Sequence, residues 1–228
     1  MIDFELYDGW TELPSKWKES IRDYSVSFPQ PFPAVVLPGA ASALSLMDRG
    51  LFKILLRASI DTGHSPREIY EGVLQCYLSL GYPRAIEGMK ILRSVFKSAG
   101  IEVGYAAGIA HDNYEQYGDE LFRKVHGDKH ILILDTIESA SPEIREWIVK
   151  EAYGKVLSRE GLDWRKRELI NLSSMLSERV PDQVISHIKG SINVGVSISN
   201  IEMLFRFLEI WNEKTHTDFA RKALERFK

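Results

Sequence analysis

The stretch from Leu162 to Ile201, LDWRKRELINLSSMLSERVPDQVISHIKGSINVGVSISNI, constrains the fold more than any other part of this chain. It is punctuated as two helices joined by a short turn, with a third helix beginning. Asp163 is suited to N-cap the first. The run Glu178 to Asp182 breaks the pattern, and Pro181 is placed to start the second. Gly195 falls where a helix takes a left-handed C′ residue, and Ser199 with Glu202 predicts a capping box for the third. Runs of alternating β-branched residues are nearly absent from the chain. His130 to Leu134, HILIL, is the one strand-like piece, and it is short enough to belong to a helix. The expected class is all-α.

The remaining punctuation fits that class. A short helix is expected over Ser15–Tyr24, followed by the proline-rich break Ser27–Pro33 and a helix after Pro38. Arg49–Asp61 is expected to be helical and to stop near Gly63. Ser65-Pro66-Arg67-Glu68 has the residues of a capping box with Pro at the first helical position. That helix should run to about Gly81, with Pro83 starting another that ends at Gly100. Residues 101–110 read as a link. Further helices are expected over Tyr114–Val125, over Glu143–Leu157 behind Ser141-Pro142, to about Ile210, and over Phe219–Phe227.

Two ionisable residues lie inside the hairpin. Glu168 shares the line Trp164, Glu168, Leu172, Met175, the spacing of one helix face. His187 lies between Val184 and Ser191 on the next helix. The two are nearly equidistant from the turn, which predicts that they meet across an antiparallel pair. A carboxylate facing an imidazole is a candidate acid/base site. The same pattern also fits a purely structural pair. Arg165 and Arg167, just before Glu168, are candidates for holding a substrate carboxylate, although helix-start arginines are more often simply solvated. Cys76 reads as a buried structural thiol and His64 as an exposed turn residue. His126 and His130 are four apart, but Gly127 interrupts the helix that would aim them at a metal, so no metal site is expected. No partner is evident for His111 or His216.

Composition narrows the function classes. With 29 basic and 32 acidic residues in 228, the net charge is −3, and no electrostatic footprint for nucleic acid exists. No apolar run approaches the roughly 18 residues of a membrane span. The opening MIDFELYDGW lacks the basic and apolar regions of a signal peptide, and a single cysteine allows no intrachain disulfide. A cytoplasmic location is expected.

Shifted by 132 residues, the chain resembles itself: Leu55–Ile69 falls on His187–Ile201, with Ser59, Ile60, Gly63, Ser65 and Ile69 matching Ser191, Ile192, Gly195, Ser197 and Ile201. Shared helix stops and serines favour a duplicated helix–turn–helix. Leu55 and Val36 stand where the second copy has His187 and Glu168, so only the second copy carries the pair.

The pattern His187, Ser191, Gly195, Ser197 resembles the carboxymuconolactone decarboxylase family, which shares an all-helical fold with alkyl hydroperoxidase D. GDELFRKVHGD (Gly118–Asp128) resembles that family's Arg-x-Val-x-Gly-Asp segment. AYGKVLSREGLDWRKR (Ala152–Arg167) resembles another of its segments, through Gly154, Val156, Ser158, Arg159, Gly161, Leu162, Asp163, Arg165 and Arg167. Gly81-Tyr82-Pro83-Arg84-Ala85 resembles a third. The likeness covers roughly residues 34–228. It implies an N-terminal arm over 1–33, a first, degenerate copy over 34–110 and a second copy over 111–228. It departs from the family where the Tyr-x-Gly-x-Pro segment of the second copy becomes Trp211-Asn212-Glu213-Lys214-Thr215. The Cys-x-x-Cys of alkyl hydroperoxidase D becomes Val180 and Gln183, so dithiol turnover is not available.

The resemblance implies a cofactor-free lyase acting on a small carboxylate, with His187 as proton donor, Glu168 as its partner or as the base, and Arg165 or Arg167 on the carboxylate. It also implies a homo-oligomer, a trimer of pseudo-dimers or a dimer. A non-catalytic helical scaffold that binds a ligand or partner is the rival reading. An antioxidant activity like that of alkyl hydroperoxidase D stands behind both.

Overall fold

The computed structural model of the chain describes residues 2–102 and 113–228, and among them every regular element is a helix. The expected link over residues 101–110 and His111 lie almost entirely outside the described residues. Twelve α-helices follow one another: α1 (Ser15–Ser27), α2 (Phe32–Ser45), α3 (Arg49–Asp61), α4 (Pro66–Gln75), α5 (Tyr77–Ser98), α6 (Tyr114–His126), α7 (His130–Ala140), α8 (Pro142–Trp147), α9 (Trp164–Ser177), α10 (Pro181–Asn193), α11 (Ile198–Leu208) and α12 (Lys214–Leu224). A π-helical segment, Ile148–Leu157, continues α8. HILIL begins α7 and is helical.

Local signals set most boundaries. The capping box forms: Ser65 N–H donates to Glu68 Oε2 at 2.9 Å, and Glu68 N–H to Ser65 Oγ at 3.2 Å. Asp163 accepts from Arg165 N–H at 2.9 Å, and Gly195 closes α10 at φ 91°. The cap of α11 differs from expectation. Ser197, not Ser199, accepts from the Asn200 N–H, because α11 starts directly behind the Gly195 turn. α2 also departs from expectation by running through Pro38. Nearly every residue of α2 is buried, so tertiary packing outweighs the roughly 3 kcal/mol cost of an internal proline. The stretch expected as one helix to Gly81 breaks at Cys76, and α5 kinks at Gly81, where φ is 73°.

α2 is the centre of the larger core, packed on α3, α9 and α11. The N-terminal segment belongs to this core: Phe4 stacks on Trp10 at 4.8 Å and meets Phe32 edge-on at 6.3 Å, and Trp10 is 1% exposed. A smaller core joins α6 to the π-segment through Leu121, Phe122, Val125, Val149, Tyr153 and Leu157. α10 packs against both α9 and α6 and so touches both cores.

One offset relates two sets of helices. Moving by 132 (from 32 to 164, and from 49 to 181) carries the start and end of α2 onto those of α9, and those of α3 onto those of α10. The same offset carries Met47 (φ 56°) onto Arg179 (φ 61°) and Gly63 (φ 90°) onto Gly195 (φ 91°).

Candidate acid/base site

The first two turns of α9 and the middle of α10 carry the pair. Asp163 fixes the start of α9, and Pro181 fixes that of α10. The tight turn between them passes through the left-handed Arg179. Because that turn joins the end of α9 to the start of α10, Glu168 and His187, nearly equidistant from it, come level. His187 Nδ1 lies 3.0 Å from Glu168 Oε2. Glu168 is 1% exposed and the His187 side chain is 15% exposed. The imidazole is therefore the member of the pair that can reach solvent or a small molecule.

Room for the carboxylate comes from Gly190, one turn beyond His187. A Cβ there would stand 2.5 Å from Glu168 Oε2 and 3.1 Å from Val125 Cγ1. Glu168 Oε1 accepts from Asn171 Nδ2 at 3.3 Å. Asn171 Oδ1 accepts in turn from Gln75 Nε2 at 3.0 Å, and Gln75 also donates to the Arg167 carbonyl. A carboxylate is an acceptor only, so Nδ1 of His187 must carry the hydrogen of their bond. That leaves Nε2 as the nitrogen that can take or give a proton.

Two further residues complete the cluster. His126, the last residue of α6, shares a 2.8 Å hydrogen bond through Nε2 with the Tyr153 hydroxyl. Both feel the charge of Glu168, and His126 also feels His187. Burial lowers His126 to about 4, against the opposing pull of Glu168, so its ring is neutral at pH 7. Burial and Glu168 together hold the Tyr153 phenol well above its usual value, so it keeps its proton. Tyr153 projects from the π-segment, a geometry that recurs at functional sites. The pattern of the hairpin carried no sign of either residue, because both come from elements outside it. The available signal was the Arg-x-Val-x-Gly-Asp-like segment that contains His126.

The two arginines part company. Arg165 is exposed and lies against Gly195. Arg167 is fully buried: its guanidinium donates to Gln75 Oε1 at 3.0 Å and to the Arg159 carbonyl at 2.7 Å, and it lies 3.6 Å from Glu71. Burial lowers it to about 10, while Glu71 acts to keep it charged. Glu71, itself buried, is also bound by Arg159 at 2.9 Å and Arg67 at 2.8 Å.

Other singled-out residues resolve simply. Cys76 is buried, donates to the Gly72 carbonyl, and has its thiol pushed up to about 12 by burial. His64 is 8% exposed rather than an exposed turn residue, because the Gly63 turn folds its ring back to 3.2 Å from the Ser59 carbonyl. His130 Nδ1 lies 2.8 Å from the Gly127 carbonyl, so His126 and His130 are each engaged by a different group. No helix among the described residues is long and apolar enough to cross a membrane.

Residues 142–226 match the model of the Carboxymuconolactone decarboxylase family. A curated relative, the 4-carboxymuconolactone decarboxylase of Acinetobacter baylyi, is 28% identical over 92 residues, which cover 40% of this chain and 68% of the relative. The family match contains Tyr153, Glu168 and His187. His126 and the whole of α1–α5 lie outside it.

Proposed function

We propose that this protein is a cofactor-free lyase, similar to carboxymuconolactone decarboxylases, acting on a small carboxylate by acid/base chemistry. The observation that supports this reading most is the buried Glu168–His187 pair at 3.0 Å within the matched segment. In the proposed step the bond from substrate carbon to its carboxylate breaks and carbon dioxide leaves. The electron pair stays on the substrate as an enolate, and His187 Nε2–H protonates the carbon. Glu168 holds the ring by Nδ1–H and stabilises the imidazolium that must form before each turnover, which is then restored from water. Arg165, exposed at the start of α9, is the proposed partner of a substrate carboxylate. Arg167 acts from the interior, through Gln75 and Asn171, on the placement of Glu168.

Carbon dioxide release from 4-carboxymuconolactone, the substrate class in the relative's name, is the first assay. His187→Ala should lower turnover by about 10²–10⁴-fold while leaving the fold intact; unchanged turnover defeats the assignment.

The α2/α3 and α9/α10 offset supports duplication, with residues 34–110 as a first, degenerate copy that lacks the pair and 111–228 as the copy that keeps it. The oligomer proposed by analogy is a trimer of such pseudo-dimers, or a dimer. The lone buried Cys76 favours a cytoplasmic setting. One observation favours the rival reading of a ligand-binding scaffold. A groove of about 1270 Å³ opens in the described structure, and neither Glu168 nor His187 lines it. Melting temperatures with acidic metabolites separate the two, since a ligand of the native state raises them. Peroxide reduction through thiols is the least supported, with Val180 and Gln183 in the cysteine positions and Cys76 buried.

A further inference from the structure

The groove runs along α5 and is closed on its far side by α4 and the π-segment. Its α5 face changes character along its length. Tyr82, Ile86 and Met89 come first, then Arg93 and Lys97. At 1.5 Å per residue, Tyr82 to Lys97 spans about 22 Å. The floor is apolar, with Leu74, Leu92, Phe96 and Val156 among its residues. At the first end Tyr82 is 66% exposed and stacks on Tyr77 at 5.3 Å, an open aromatic surface. Ile86, 52% exposed, continues it.

Charge is unevenly placed. Lys90 is taken by Glu87 at 2.9 Å and Arg159 by Glu71. Arg93 and Lys97 on α5, and Lys155 across the groove, make no ion pair among the described residues. The wall carboxylates are two, Glu102 and Glu151, and Glu151 accepts the Tyr77 hydroxyl at 2.7 Å. Arg93 and Lys97, one turn apart at the far end of the α5 face, are thus unpaired beside a long apolar floor, with Lys155 on the opposite wall. The volume of about 1270 Å³ exceeds the roughly 300–1,000 Å³ of pockets for compact ligands.

We propose that this groove binds a long-chain amphipathic anion, its acyl-like body on the floor beside Tyr82, Ile86 and Met89, and its acid group at Arg93, Lys97 and Lys155. Length and unpaired charge together select this class. A compact aromatic acid would leave most of the floor wet, and a neutral chain would leave three cations unanswered. The proposal stands apart from the acid/base reading, since it uses neither member of the pair.

The test is displacement of the fluorescent probe 1-anilinonaphthalene-8-sulfonate from the full chain by octanoate, dodecanoate and hexadecanoate, below their micelle concentrations. Affinity should rise with chain length, by up to about fourfold per methylene. Dodecanol should bind at least tenfold more weakly than dodecanoate. Reversing two exposed charges together, Lys97→Glu with Lys155→Glu, should weaken dodecanoate at least tenfold with an unchanged melting temperature. Met89→Trp, which fills the floor, should weaken hexadecanoate more than octanoate. The proposal is overturned by any of four results: no saturable displacement, benzoate as tight as dodecanoate, dodecanol as tight as dodecanoate, or no effect of charge reversal. It is also overturned if the groove proves to be covered by a second copy, seen as an oligomer that Ile86→Lys dissociates and that binds no acid.

Discussion

Four polar side chains, Glu168, His187, His126 and Tyr153, meet in a region lined by Val125 and Phe122, and burial assigns each a different duty. Tyr153 and His126 stay neutral and hold one another, while His187 has the carboxylate partner and a side chain that is 15% exposed. The neutrality of His126 has a consequence for stability. Its folded value of about 4 lies below the unfolded 6.5, so between these limits the unfolded chain takes the proton and the folded chain does not. Stability from this residue is therefore complete above pH 6.5 and falls as pH drops toward 4, by about 3 kcal/mol in all. In urea melts at pH 7 and pH 4.5, His126→Gln should lose less stability on acidification than the wild type, by about 2 kcal/mol. Equal losses would show that His126 is not buried as described.

At the scale of elements, α6 and the π-segment approach backbone to backbone. A Cβ at Gly118 would overlap the Val149 carbonyl oxygen, and one at Gly154 would overlap that of Tyr114. Backbone cannot step aside as a side-chain tip can, so Gly154→Ala should destabilise the protein by about 3 kcal/mol or more, read by denaturant melts. Helix propensity would favour alanine by only about 1 kcal/mol. A neutral or stabilising Gly154→Ala would mean that the two elements do not touch. How far such elements can be read from sequence depends on the range of the signal. Ser65, Asp163, Pro181 and Gly195 act on their own helix ends, and their roles were legible. So was the meeting of Glu168 and His187, because one short turn fixes the register of α9 and α10. Tyr153 and His126 were not legible as site residues, because they reach the site through the docking of α6 on α10 and of the π-segment on α6. The π-segment has the sequence pattern of plain helix, since its apolar spacing fits either winding. The interior place of Arg167 escaped for a related reason. The residue that holds it, Glu71, lies on α4, far away in sequence.

At the scale of the whole molecule, that Glu71 cluster ties three parts together: α4 supplies Glu71 and Arg67, the turn just after the π-segment Arg159, and α9 Arg167. From there the bonds Arg167–Gln75, Gln75–Asn171 and Asn171–Glu168 lead to His187. Neutralising the anion leaves three guanidinium groups facing one another, two of them largely buried. Glu71→Gln should therefore cost about 3–5 kcal/mol in denaturant melts; a loss under 1 kcal/mol would show that the cluster is solvated. If Glu168 and His187 act as one acid/base unit, as proposed, a double-mutant cycle on kcat will show it. Glu168→Gln and His187→Ala are each predicted to lower carbon dioxide release by about 10²–10⁴-fold, and the double variant to be no slower than the worse single one. Single losses that multiply in the double variant, or a His187→Ala enzyme that keeps its rate, would show that the two residues do not act as a unit.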